Sequence, residues 1–407
     1  MVSTNAPLRN RLLAALLGAW IIVFAWITWA TLILPPFWDA ITWIADFQRD
    51  GFSLAGLWTP HNEHHLVFAR ILTGLAWGPI GLGGGVFVAA GLAALLATAF
   101  LLAREARRAG GWVAAALVWM AFLTAASAVD VSVPINTVYP LCLVCVVAAL
   151  VLMTRDSPAL RAAALACALL AGLGNAVGLA AWPVLLATAW RSAGWRWLAA
   201  TLAATALSAA IFSLGTGGAA GLADLAGRIL PALDYLLGFL GLPLSRAPAL
   251  AVPGRILGAM LLLAALAIIA RFWLGHARTT AQKVAPGLAG FTLLAGLLAA
   301  FGRADMGGIP VRYALLVAPL HAAIVLAAAP WIAASWTRPR RAALLLAGIA
   351  LLLAMQVMGG RAAIAQARFI RTAIAAFMQG DRGAESARTV FPDPDYAARV
   401  LGLPGTR

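Results

Sequence analysis

The chain has 407 residues, of which 63% are hydrophobic and only 11% charged, with a mean hydropathy of +0.93. Soluble globular proteins carry about 25% charged residues, so a water-facing surface cannot be built from this composition and the chain reads as a polytopic membrane protein. The same arithmetic excludes a disordered chain, a disulfide scaffold and a soluble nucleic-acid binder, despite a formal charge of +15 that is almost entirely arginine (Lys283 is the only lysine).

A membrane-spanning helix needs about 20 consecutive apolar residues. Taken in chain order, apolar runs near 12–34, 80–103, 111–129, 137–153, 159–174, 177–190, 197–215, 255–275, 286–302, 313–335 and 342–358 predict about eleven spans, the two between 159 and 190 being short. The first run follows Arg9 and Arg11. It is too long for a signal-peptide core and lacks a small-residue cleavage site, so it reads as an uncleaved first span. Cys142 and Cys145 have C-x-x-C spacing inside an apolar run, with no second pair; this reads as packing.

The arginines orient the spans. With the N-terminus in the cytoplasm, the inside loops hold fifteen basic residues, from Arg9 to Arg341, against two acids, Glu105 and Asp156. The outside loops before residue 359 hold seven basic residues against eight acids. Cytoplasmic loops carry the excess of Lys and Arg, so this orientation follows, with the C-terminus outside. A membrane domain over 1–358 and a short outside tail over 359–407 result.

Three outside segments are long. The first, 35–80, holds Asp39, Asp46, Asp50 and Glu63, and three of the five histidines in the run His61-Asn62-Glu63-His64-His65. Thr59 followed by Pro60 predicts a helix start, which would set the histidines in the first two turns, beside free N–H groups that favour anions. Arg70 would lie on the same face as Glu63, in a segment from Leu66 to Trp77 lying flat at the interface. His61 and His65, at i,i+4, with Glu63 or Asp39, are candidate metal ligands, but the string is not the H-E-x-x-H of a zinc protease. The plainer alternative is a set of polar cap residues satisfied by water. The second segment, 216–254, has an amphipathic stretch around Asp224, Arg228 and Asp234. In the tail, Ala363 to Phe377 with Arg368 and Arg371 predicts an amphipathic surface helix.

Two further outside points matter. Asp130, between the third and fourth spans, is a candidate site residue or a helix-end cap. Arg303, Asp305 and Arg312, followed by Tyr313, lie outside against the general charge trend; the arginines either pair with Asp305 or bind phosphate.

An outside acid soon after a first span, an interfacial helix, a Gly–Trp stretch (Gly51 to Trp58) and a histidine motif opening a second interfacial helix resemble the GT-C class of integral-membrane glycosyltransferases. In its bacterial branches with a Trp…His-Asn-Glu-His-Arg loop the last residue is Arg, where this chain has His65. The Gly302-Arg303 and Arg312-Tyr313 pairs also fit that resemblance. It implies an all-α GT-C-like fold in a bacterial cytoplasmic (inner) membrane, with the site in the first outside loop. It also implies transfer of a sugar from a polyprenyl-phosphate donor to a glycan or lipid acceptor on the outer face. Asp39 would be the catalytic base and Asp130 a second catalytic acid residue. Arg303, Arg312 and Arg70 would hold the phosphate, and His61, Glu63 and His64, with Tyr313, would position substrate. The resemblance leaves room for a divalent metal (Mg or Mn) and requires no other cofactor. Asp39 is followed by Ala40 rather than a second acid, and the tail is too short for an oligosaccharyltransferase soluble domain, which points away from a protein acceptor. A transporter or flippase of a lipid or small solute, or a membrane acyltransferase, is the alternative. A transporter wants ionisable groups at mid-membrane depth, and among the spans His321 is the clearest one.

Overall fold

A computed structural model describes residues 6–61, 65–213, 225–242, 244–246, 248–303, 309–381 and 385–403. The regular structure of the described residues is helical, with no strand, and eight helices are long and apolar enough to cross a membrane, as expected of a polytopic helical membrane protein. In chain order the α-helices are α1 (Ala6–Ala30), then the short α2 (Asp39–Asp50), α3 (Leu54–Trp58) and α4 (Val67–Trp77), then α5 (Gly85–Phe122), α6 (Ala125–Ser132), α7 (Val138–Met153), α8 (Pro158–Gly174), α9 (Ala181–Ser192) and α10 (Trp195–Ser213). The rest are α11 (Leu225–Leu240), α12 (Ala251–Trp273), α13 (Thr280–Arg303), α14 (Ala314–Trp336), α15 (Pro339–Met378), α16 (Glu385–Val390) and α17 (Pro394–Val400).

The second and third expected spans both fall on α5 and α6. Inside α5, Gly111 has φ +72°, a left-handed conformation that glycine adopts without the Cβ penalty, and the helix breaks there. Gly110 lies so close to the Ala329 carbonyl oxygen of α14 that a Cβ would stand 2.3 Å from it. The second arm, continued by α6, runs back. Thr137 Oγ1 donates to the Phe87 carbonyl oxygen at 3.2 Å, and Arg155 reaches Glu105. Residues 87–105 and 137–155 are therefore parallel stretches, each of 18 steps. At 1.5 Å per residue that is about 27 Å, close to the hydrocarbon thickness of a bilayer. The two contacts mark opposite ends of the bundle.

At the Glu105 end the buried carboxylate faces Arg104, Arg108 and Arg155. Arg9 donates to the Thr337 carbonyl oxygen at the same end, where α1 begins and α14 stops. At the Phe87 end lie α2, α3, α4 and α6. Interior positions of α7, α13 and α14 are largely buried, whereas α1, α10, α12 and α15 expose residues such as Trp29, Leu202, Leu263 and Leu351 on their outer faces.

The eleventh span and the expected surface helix form one continuous α15 of 40 residues, about 60 Å long, twice the apolar thickness. The Gly359–Gly360 pair reads as a break, but Gly360 allows α15 to touch α1, since a Cβ there would sit 2.5 Å from Ile27 Cδ1. Arg371, further along, donates to the Ala30 and Leu32 carbonyl oxygens and so caps the C-terminal end of α1. Beyond it, Ile374, Phe377, Ala387, Val390, Ala397 and Ala398 pack with Ile33, Phe37, Ile41 and Val133 into a second apolar cluster that joins the tail to the first loop.

Candidate active site

Asp39 is the first residue of α2, where the helix dipole favours a negative charge. On α2, Ala40, Ile41, Trp43 and Ile44 turn inward. The Asp39 carboxylate is 44% exposed, with Oδ1 3.7 Å from Nε2 of His61, beyond direct hydrogen-bonding distance. The imidazole of His61 alongside, and then the charges of Arg312 and Arg303, hold the carboxyl below the usual carboxylate range, against the opposing effect of partial burial. His61 Nε2 has no hydrogen-bond partner among the described residues, and the ring packs edge-on against Trp43, which stacks on Phe87.

The helix expected from Thr59 does not form. Ser53 caps α3, accepting from the Gly56 N–H, and Thr59 closes that helix, its hydroxyl donating to the Ala55 carbonyl oxygen. The next helix, α4, starts only at Val67. His61 and His65 therefore lie in a loop, and i,i+4 spacing brings no pair of ligands together. His65 is buried, stacked on Trp58 at 4.3 Å, with Nδ1 2.7 Å from the Trp58 carbonyl oxygen. Glu63 and His64 lie outside the described residues. Without the helix, Arg70 shares no face with the histidine run. It is buried in α4, bonded to Asp46 at 2.9 Å.

A second group forms where α6, α7, α13 and the 311–313 turn meet. Arg303, the last residue of α13, stands 5.8 Å over the Tyr313 ring. Tyr313 meets Tyr139 edge to face at 6.0 Å and Phe239 at 6.4 Å. Asp130, between the candidate spans 85–122 and 134–153, is fully buried, and neither of its oxygens has a hydrogen-bond partner among the described residues. It caps no helix end: Thr124 starts α6 by accepting from the Ser127 N–H. Burial pushes the Asp130 carboxyl well above the usual range, and the charge of Arg312 offsets only part of that. Arg312 acts on both Asp130 and Asp39, linking the two groups. Asp305, the expected arginine partner, lies outside the described residues.

Asp39, His61, Asp130, Arg303, Arg312 and Tyr313 thus come together from distant parts of the chain, while His65 and Arg70 serve other contacts. Sequence reasoning passed over Tyr139 and Tyr235, two of only four tyrosines. Tyr235 is buried, its hydroxyl has no partner among the described residues, and burial, with Tyr313 adding to it, pushes its pKa up to about 12. The signal available was the scarcity of tyrosine combined with its position near span ends. Asp39 and His61 offer two metal ligands; among the described residues no three His, Cys, Asp or Glu side chains gather as a bound metal would need.

Asp39 and His61 also line a cleft of about 450 Å³ with Trp38, Thr42, Asp46, Pro60, Phe391 and Pro392. Compared with protein-family models, curated proteins and solved structures, the chain matches none.

Proposed function

We propose that this chain is an integral-membrane glycosyltransferase of the GT-C kind, moving a sugar from a polyprenyl-phosphate donor to a hydroxyl of a glycan or lipid acceptor. The observation that carries this reading is a solvent-reaching carboxylate, Asp39, kept ionised between an open cleft and two arginines. An ionised carboxylate beside an acceptor hydroxyl acts as general base and takes its proton. The acceptor oxygen bonds to the anomeric carbon as the bond from that carbon to the phosphate oxygen breaks. The electron pair leaves on the polyprenyl phosphate, whose charge Arg303 and Arg312 would stabilise in a partly desolvated setting. Burial raises the pKa of Asp130 well above the usual carboxylate range, which favours its protonated form. A divalent metal would need a ligand beyond Asp39 and His61, and no step here is assigned to one. The excess of arginine at the Glu105 end supports a cytoplasmic location for that end and an outer-face location for the site.

Asp39→Asn keeps the shape and removes the base. It should cut transfer by about 10²–10⁴-fold while polyprenyl-phosphate-sugar binding stays near wild type, measured with the purified protein in lipid nanodiscs. Equal activity in the Asn variant would end the reading of Asp39 as base. The buried Asp130, without a hydrogen-bond partner among the described residues, favours one second reading, a proton-coupled lipid transporter. Proton uptake with lipid movement in sealed vesicles, without sugar transfer, would select it.

A further inference from the structure

The cleft beside Asp39 has two walls of different origin. One is α2 and the loop after α3: Asp39, Thr42 and Asp46 lie along one face of α2, with Pro60 and His61 opposite. The other comes from the far end of the chain, through Phe391 and Pro392. Phe391 is stacked on Tyr396 at 5.5 Å, and Asp393 fixes that turn by accepting from the Tyr396 N–H. Trp38 joins the walls. Its backbone N–H donates to the Val390 carbonyl oxygen at 2.8 Å, and its indole N–H donates to that of Thr389 at 2.9 Å. Its φ of +49° is the one positive value for a non-glycine residue among the described residues, and such a conformation persists only when the surroundings hold it.

The lining of this cleft is selective in chemistry. Carboxylates, a hydroxyl and an imidazole supply hydrogen-bond acceptors and adaptable donors, while Trp38, Phe391, Pro60 and Pro392 supply flat, rigid apolar faces. Among the described residues no lysine or arginine lines the cleft; Arg303 and Arg312 reach Asp39 electrostatically without lining it. The half-exposed Asp39 carboxylate is the acceptor that a ligand hydroxyl can reach from the cleft, with the His61 ring 3.7 Å behind it. A ring with hydroxyls on its edge and C–H groups on its face matches this lining.

We propose that this cleft is the acceptor subsite, that it binds a neutral sugar ring, and that the C-terminal segment selects the acceptor through Phe391 and Pro392. The assignment as acceptor subsite rests on the glycosyltransferase reading; the sugar-binding cleft itself is tested separately.

The full-length protein in lipid nanodiscs is titrated with methyl glucopyranoside and methyl mannopyranoside by saturation-transfer NMR, and in parallel with polyprenyl phosphate. Phe391→Ala should weaken glycoside binding by about tenfold, the scale of one lost aromatic contact, and Phe391→Trp should restore it. Polyprenyl-phosphate binding should be unchanged in both. Glycoside binding that ignores Phe391→Ala, or that is absent from wild type while polyprenyl phosphate binds, overturns the cleft assignment and leaves the donor reading standing. Displacement of the glycosides by millimolar Mg²⁺ or Ca²⁺, unaffected by Phe391→Ala, would make the cleft a cation site and also overturn it. Phe391-dependent glycoside binding without any polyprenyl-phosphate binding would keep the sugar cleft and remove the donor.

Discussion

At the scale of single residues, two aspartates a few helices apart are driven in opposite directions by their surroundings. Asp39 is reached by solvent, a histidine and two arginines, and its pKa is lowered; Asp130 is fully buried, neither of its oxygens has a hydrogen-bond partner among the described residues, and its pKa is raised. The second case has a consequence for stability. Because the folded-state pKa of Asp130 lies above its unfolded value of 3.8, its contribution is fully present below about pH 3.8 and is lost as pH rises through the folded value. Asp130→Asn removes that slope. Thermal melts in detergent should show the variant more stable than wild type by roughly 2 °C or more at pH 8, with the gap closing near pH 4. A constant gap across that range would mean that Asp130 does not change protonation. Asp130 could be picked out in the sequence as a polar point between spans, but not its burial, because that depends on α1, α14 and α15 packing against α6 from distant parts of the chain. The histidine run misled for the opposite reason. Local signals at Thr59 and Pro60 favoured a helix start, and the capping of α3 by Ser53 used Thr59 as a helix end instead.

At the scale of elements, glycine sets the approach distances. Apolar run length is a property of the run itself, so a polytopic helical protein was legible in the sequence, but of about eleven expected spans eight helices among the described residues are long and apolar enough to cross. Whether two neighbouring runs make one helix or two depends on contacts, and here the sequence erred at Gly359–Gly360. That joint is testable. Gly360→Leu forces α15 away from Ile27 and should destabilise the protein by about 1–3 kcal/mol, read by thermal or denaturant unfolding. Ile27→Ala, itself destabilising because Ile27 is fully buried, should recover part of that loss when combined with Gly360→Leu. Strict additivity of the two substitutions would show that the close approach is not what the glycine provides.

At the scale of the whole molecule, the bundle has one end rich in arginine and one that carries the cleft, with α15 extending well past the apolar thickness. Single cysteines at Phe52, Arg108, Arg340 and Asp381, on a background lacking Cys142, Cys145 and Cys167, should separate into two pairs. An impermeant thiol reagent added to intact cells should label 52 and 381, and should reach 108 and 340 only after the membrane is opened. Labelling of 381 together with 108 would show that α15 does not cross once, and would separate the tail from the cleft.

The joining of Trp38 to Thr389 and Val390 also bears on how the protein is made. The two partners are about 350 residues apart in sequence, and translation adds about 5–20 residues per second. For roughly 20–70 seconds the first loop therefore exists without the segment that fixes it, however well its own helices have formed. The cleft closes only when the last part of the chain has been delivered to the same side of the membrane. A chain that stops before residue 389 has the helices up to α15 but lacks one wall of this cleft.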